Sequence, residues 1–385
     1  MEMKHNRKII YLAGFLFSIP IALTSYINSS FLETYINKNY VGILYIIASI
    51  ISIWGLLKIP KIVVHLGNRV ATLIFCFLIF LSLILLAFVD SALIIIPAFI
   101  LYFLSINFVI ASLDIFIEDF SEKSSIGSLR GFYLTIINIA WVIAQIISGS
   151  IINKSSFSGI YLFSAGFIIL LSLVFVFFLR DFKDPEYKKI SVLKTIKTFI
   201  NNKHISKAYF INLTVKFFYA WMVIYMPIYL HEYMNFSWDK IGIIFSIMLL
   251  PFVILDFPLG KLSDKIGEKK MLIIGFLIIT LFVLKIPFIK EATLWVWALV
   301  LFMTRVGAAT IEVMSESYFF KVINKKESPD EISFFRNTLP VSYVIAPLLA
   351  ILILLLVPSF EYLFFVLSAI LLIGLFITLR LQDVK

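Results

Sequence analysis

Residues 241–288 read IGIIFSIMLLPFVILDFPLGKLSDKIGEKKMLIIGFLIITLFVLKIPF. Two apolar stretches, 241–259 and 270–288, flank a short segment that carries Lys261, Lys265, Lys269 and Lys270. Each stretch approaches the roughly 20 apolar residues that a helix needs to cross a bilayer. The charges gather at the connection, as expected of two spans joined by a basic turn at the membrane surface.

The same pattern extends outward in both directions. Further apolar spans fall near 9–28, 41–57, 70–89, 92–117, 131–152, 158–179, 207–230, 293–318, 337–357 and 359–379. The chain of 385 residues is 61% hydrophobic and only 15% charged, with a mean hydropathy of +1.03. Soluble domains carry about a quarter charged residues. The excess apolar surface must face lipid, and the expectation is an all-α protein of twelve transmembrane helices.

The start, Met1 to Lys8, is basic and turns apolar at Ile9. No small-x-small cleavage pattern follows, so this reads as an uncleaved first span. Cys76 is the single cysteine, which rules out an internal disulfide and disfavours a metal cluster.

With the N-terminus in the cytoplasm, 26 of the 33 lysines and arginines fall on the cytoplasmic side. Five lie opposite (Lys38, Lys154, Lys240, Lys285, Lys290), and Lys216 and Arg305 lie inside spans. This is the positive-inside pattern. It accounts for the net charge of +10 without nucleic acid and places both termini in the cytoplasm of a multi-pass inner-membrane protein.

The organisation reads as 1–180, a linker at 181–206, and 207–385. The linker holds Ile190, Val192, Leu193, Ile196, Phe199 and Ile200 at roughly helical spacing among Lys188, Lys189, Lys194 and Lys197. That combination predicts a short interfacial helix on the anionic leaflet.

The two halves align with one another. Gly42 and Gly67 fall on Gly242 and Gly267 at an offset of about 200, and Ile53 through Arg69 fall on Val253 through Lys269. Asp114 and Glu118 fall on Glu312 and Glu316, and Val142-Ile143-Ala144 on Val344-Ile345-Ala346. Two pseudo-symmetric six-helix bundles follow, and duplicated bundles suit alternating access around a site at the midplane.

The segment Gly260-Lys261-Leu262-Ser263-Asp264-Lys265-Ile266-Gly267-Glu268-Lys269-Lys270 resembles the signature loop of the major facilitator superfamily, Gly-x-Leu-Ala/Ser-Asp-Arg-x-Gly-Arg-Arg/Lys. The resemblance implies a secondary transporter whose signature loop latches the cytoplasmic side. Gly260 lets helix ends approach, and Gly267 permits a tight turn. Asp264 can accept from amides at a helix start, while Lys265 and Lys269 can pair with carboxylates on a neighbouring helix. Two departures stand out. Glu268 replaces an expected arginine, and the first-half copy has Val64 where the second has Asp264. Ala140, Ala144, Gln145, Ser148 and Gly149 faintly resemble a motif of the family's antiporters, but small residues at this spacing more often mark close helix packing.

Charges inside spans are functional candidates, because a charge near the bilayer centre is costly. The tenth span holds Arg305, Glu312 and Glu316 on one helical face. The fourth holds Asn107, Asp114 and Glu118, the seventh Asn212, Lys216 and Tyr219, and the eighth Asp256. In the resembled family the first, fourth, seventh and tenth helices line the cavity. That implies solute contacts from Arg305, Lys216, Asn107, Asn212 and Tyr219, with Ser18, Thr24, Ser25 and Tyr26 from the first span. Glu312, Asp256 and Asp114 are read as proton carriers or as ion-pair partners of Lys216 and Arg305. Glu118 and Glu316, nearer the cytoplasm, are read as partners of loop lysines such as Lys265 and Lys269. Tyr233, Trp238 and Trp295 are read as interfacial anchors.

The resulting expectation is a monomeric, proton-coupled transporter of a small organic solute embedded in a lipid bilayer. No cofactor or metal is expected, since no phosphate-cradling glycine loop or paired-histidine motif is present to suggest an enzyme or an ATP-driven pump. The rival expectations are a multidrug efflux antiporter and a non-transporting membrane sensor or partner protein on the same fold.

Overall fold

The computed structural model describes residues 2–56, 58–119, 126–179, 197, 199–322, 334–335, 337–357 and 359–382. Among them every regular element is a helix. The main ones are α1 (Glu2–Ser25), α2 (Asn28–Glu33), α3 (Val41–Leu56), α4 (Ile59–Leu66), α5 (Asn68–Phe88), α6 (Ala92–Asp119) and α7 (Ile126–Phe178). They continue as α8 (Lys203–Ile228), α9 (Trp238–Ile266), α10 (Glu268–Lys285), α11 (Leu294–Val322), α12 (Thr338–Leu356) and α13 (Tyr362–Leu379). A π-helical turn, Tyr229–Tyr233, prolongs α8. Most of the expected interfacial helix lies outside the described residues.

Ten helical stretches among the described residues are long and apolar enough to cross a membrane. One, Thr135–Phe178 within α7, has 44 residues, about twice the length a bilayer requires. It breaks at Ser155 and Ser156, where Ser156 takes φ 58, between the two spans read at 131–152 and 158–179. With that division and the shorter apolar α3, the helices agree with the expected twelve. Leu93, Leu356 and Phe177 expose 87%, 83% and 69% of their surface. Exposed apolar surface on this scale needs a lipid solvent.

The chain divides into two compact units, residues 1–189 with 237–246 and residues 190–236 with 247–385. In the first, α1 packs along α7, and α5 packs against both α6 and α7. In the second, α8 packs against α11, α12 and α13, and α10 against α11 and α13. The pairing of α5 with its neighbours thus has a counterpart in that of α10.

The internal repeat is visible in the backbone. Gly67 (φ 78, ψ 150) separates α4 from α5, and Gly267 (φ 90, ψ 147) separates α9 from α10. A left-handed residue costs about 1–2 kcal/mol when it carries a Cβ, which explains glycine at both places. The signature segment, however, is not a loop. Helix α9 runs through Ile266, and only Gly267 interrupts the path into α10. The helix passes through Gly260, whose helical cost of about 1 kcal/mol is too small to stop it, and ends only at Gly267, where the backbone turns to φ 90.

Small residues set two close crossings. A Cβ on Gly307 of α11 would lie 2.7 Å from the Gly275 oxygen and 2.7 Å from the Ile279 nitrogen of α10. In the first unit a Cβ on Gly242 would lie 2.8 Å from the Gln145 oxygen and 3.1 Å from the Gly149 nitrogen of α7. The stripe containing Gln145 and Gly149 is therefore a packing surface.

Candidate functional site

Helix α8 presents Asn212, Lys216 and Tyr219 at helical spacing, and α11 presents Arg305, Glu312 and Glu316 likewise. These helices pack together, so the two faces meet. Lys216 Nζ forms an ion pair with Glu312 Oε1. The Tyr219 hydroxyl donates to Glu312 Oε2 at 2.7 Å. One carboxylate therefore receives an ammonium on one oxygen and a phenol on the other. The Lys216 and Glu312 side chains keep 17% and 26% of their surface exposed, so this pair is not sealed in the core.

Aromatic rings hold the second cation. The Arg305 guanidinium carbon lies 4.7 Å from the Phe218 ring centre and 5.7 Å from that of Tyr219. Arg305 is 1% exposed. Burying an arginine is tolerable when ring faces and other partners replace its water. Lys216 Nζ also lies 5.4 Å over the Tyr219 ring. Phe252 of α9 packs edge-on against Tyr219 at 5.9 Å, and Asp256 follows one turn later on the same helix. Glu312, Glu316 and Asp256 all act electrostatically on Lys216, and Asp256 and Arg305 act on Tyr219. Among the described side chains, the second unit thus brings Lys216, Arg305, Glu312 and Asp256 to bear on Tyr219, with Glu316 acting on Lys216.

The remaining expected site residues make other contacts or have side chains outside those described. Asn212 is 1% exposed and ties helices together. Its Nδ2 donates to Ser315 Oγ of α11 at 3.1 Å, and its Oδ1 accepts from Thr338 Oγ1 of α12 at 2.7 Å. Asn107, half-buried on α6 in the first unit, donates to the Phe103 carbonyl at 2.8 Å. The side chains of Asp114, Glu118, Asp264 and Lys265 lie outside those described, and Gly260 is placed only as part of α9. Trp238 is buried against Phe157 at 5.5 Å in the first unit, whereas Trp295 exposes 70%. Trp238 thus packs inside the first unit.

Sequence reasoning missed Phe218 and Phe252, whose apolar character conceals their role as a seat for Arg305 and Tyr219. It also missed the partner of Glu268. That residue is 4% exposed at the start of α10, and its Oε1 accepts from Ser317 Oγ at 2.9 Å and Lys321 Nζ at 2.5 Å, both on α11. An acid directly after a helix-breaking glycine was the available signal.

The chain matches the Major Facilitator Superfamily over residues 10–248 and 226–385. The chain belongs to the major facilitator superfamily. An uncharacterised transporter of this type from Methanocaldococcus jannaschii is 25% identical over 171 residues, which is 43% of this chain and 44% of that protein's length. The chain thus spans under half the length of that curated relative. Among solved structures, a POT family transporter crystallised in complex with a thioalcohol-conjugated peptide has a similar fold, with a TM-score of 0.78 at 13% identity. That likeness covers 97% of this chain and 94% of the other. Superfamily membership and ten apolar helices among the described residues make this a multi-pass membrane protein, and the cluster between α8, α9 and α11 is where its second unit gathers charge among those helices.

Proposed function

We propose that the protein is a proton-coupled secondary transporter moving a small organic solute across the cytoplasmic membrane by alternating access. The reading includes a monomer with both termini cytoplasmic and functional halves at 1–180 and 207–385, joined by 181–206. The observation that carries it is the Lys216–Glu312–Tyr219 contact with Arg305 and Asp256 beside it. A buried charge group of this kind is expensive to keep and marks a substrate or ion path.

The reading gives these residues separate roles. Glu312 already accepts on both oxygens, contacts that suit its ionised form. Among the described side chains, Glu312, Glu316 and Asp256 all act on Lys216, and this reading gives the group one proton. Asp256 is assigned as its seat, Arg305 and Lys216 as the groups that meet an anionic part of the solute, and Tyr219 as the residue linking them. Asn212 is assigned to helix packing. Asn107 and Asp114 would contribute from the first unit, and Gly260, Asp264, Lys265, Gly267, Lys269, Glu316 and Glu118 would form the cytoplasmic gate. The test is a solute screen in proteoliposomes with and without an imposed pH gradient, repeated with Asp256→Asn. Gradient-driven flux that the substitution uncouples supports the reading. Flux of the same solute that ignores the gradient in both forms overturns the proton coupling.

The rings of Phe218, Tyr219 and Phe252 favour one second reading, export of aromatic compounds. A drug-resistance phenotype on expression would support it.

A further inference from the structure

The superfamily pattern puts a cation where this chain has Glu268, and the structure shows what compensates. Glu268 is the first residue of α10, directly after Gly267 at φ 90. Its side chain is 5% exposed, while that of Lys321 keeps 39%, so the acid is buried and its cation reaches it from the surface. A buried carboxylate has to be paired. Oε1 takes Ser317 Oγ at 2.9 Å and Lys321 Nζ at 2.5 Å, two donors one turn apart on α11. The position in the first turn of α10 adds the favourable end of the helix dipole.

The repeat supplies an internal comparison. Asn68, the first residue of α5 after Gly67, is also fully buried. Its Nδ2 donates to the Ser112 carbonyl of α6 at 3.0 Å. Both units therefore fasten the residue after the left-handed glycine to the next helix along. The first uses a neutral amide. The second uses an ion pair to α11, the helix that carries Arg305, Glu312 and Glu316.

We propose that Glu268 and Lys321 form a charge-inverted clasp that fixes the Gly260–Lys270 junction to the end of α11, so that the junction and the charged face of α11 move as one piece. Glu268, Ser317 and Lys321 are positioning residues in this account. It rests on reading that junction as part of the cytoplasmic gate.

The clasp can be tested without a known solute. A single reporter, Lys269→Cys in a Cys76→Ala background, is reconstituted as the full chain and labelled with fluorescein maleimide. Lys269 is half-buried next to Glu268, so labelling reports opening of the junction. Glu268→Lys and Lys321→Glu should each raise the labelling rate about tenfold, equivalent to ~1.4 kcal/mol of opening. The double swap should return it to within about twofold of the parent. Glu268→Gln, which keeps an acceptor for Ser317 but no charge, should fall between. Asn212→Ala, which loosens α8 against its neighbours and leaves the α10–α11 contact in place, should lower the melting temperature without raising labelling. Unchanged rates in the single variants, or a double variant as fast as the worse single, would overturn the proposal. If a single variant does not fold, the double swap and Glu268→Gln decide alone. Because labelling needs no transport, failure here leaves the transport reading standing, and a silent solute screen leaves the clasp standing.

Discussion

The Tyr219 hydroxyl of α8 donates to Glu312 Oε2 of α11 at 2.7 Å, on the side of the carboxylate opposite Lys216. This bond makes the glutamate a double acceptor and orients it toward α8. The same ring carries Lys216 and Arg305 near its face, so one tyrosine is in contact with both cations and the acid.

Tyr219→Phe keeps the ring and removes the bond. A hydrogen bond to a charged group is worth about 1.5–3 kcal/mol, and the 26% exposure of Glu312 puts the expected loss at the lower end, ~1.5 kcal/mol. Thermal unfolding in detergent measures it. An unchanged melting temperature would mean that the hydroxyl contributes nothing to this contact.

Removing Lys216 alone strands an acid in the membrane. Lys216→Ala should cost about 3 kcal/mol, whereas Lys216→Ala with Glu312→Gln should cost less, because the stranded charge is gone. A double-mutant cycle on unfolding free energy reads the difference directly. Additive losses would show that the two side chains are not coupled.

Arg305→Ala should insert and purify normally yet abolish transport of the solute identified by the screen, since no other side chain on this face of α11 carries a permanent positive charge. Full transport by that variant would remove Arg305 from the mechanism.

The close crossing of α10 and α11 leaves no room for a methyl group. Gly307→Ala would set a Cβ 2.7 Å from two backbone atoms of α10, which must move apart. Overpacking of this kind costs about 1–3 kcal/mol. Gly166, which has open space at the same point, should accept alanine without loss, and the pair of melting temperatures tests the contrast.

Asn212→Ala should destabilise the second unit by about 1–3 kcal/mol, because Ser315 and Thr338 both lose a buried partner. If Asn212 instead met the solute, the variant would change solute affinity while leaving stability intact, and paired binding and unfolding measurements separate the two.

Much of this protein is determined by sequence alone. Hydrophobic runs near 20 residues must be spans, because lipid cannot solvate an open backbone. The glycines at 67 and 267 announce left-handed turns by lacking a Cβ, and lysines gather in the segments between apolar runs. Arg305, Lys216 and Glu312 stand out for the same reason, as charges where none is cheap. Pairing is another matter, since it depends on which faces of distant helices meet. Nothing in the chain order says that Tyr219 reaches Glu312, that Asn212 accepts from Thr338, or that the unexpected acid at 268 finds its cation at 321. The helical continuation of the signature segment through Ile266 was also hidden, because charge density looks the same in a loop and in an exposed helical turn. Those points were decided by tertiary packing, which alone sets the few ångströms over which a hydrogen bond or an ion pair acts.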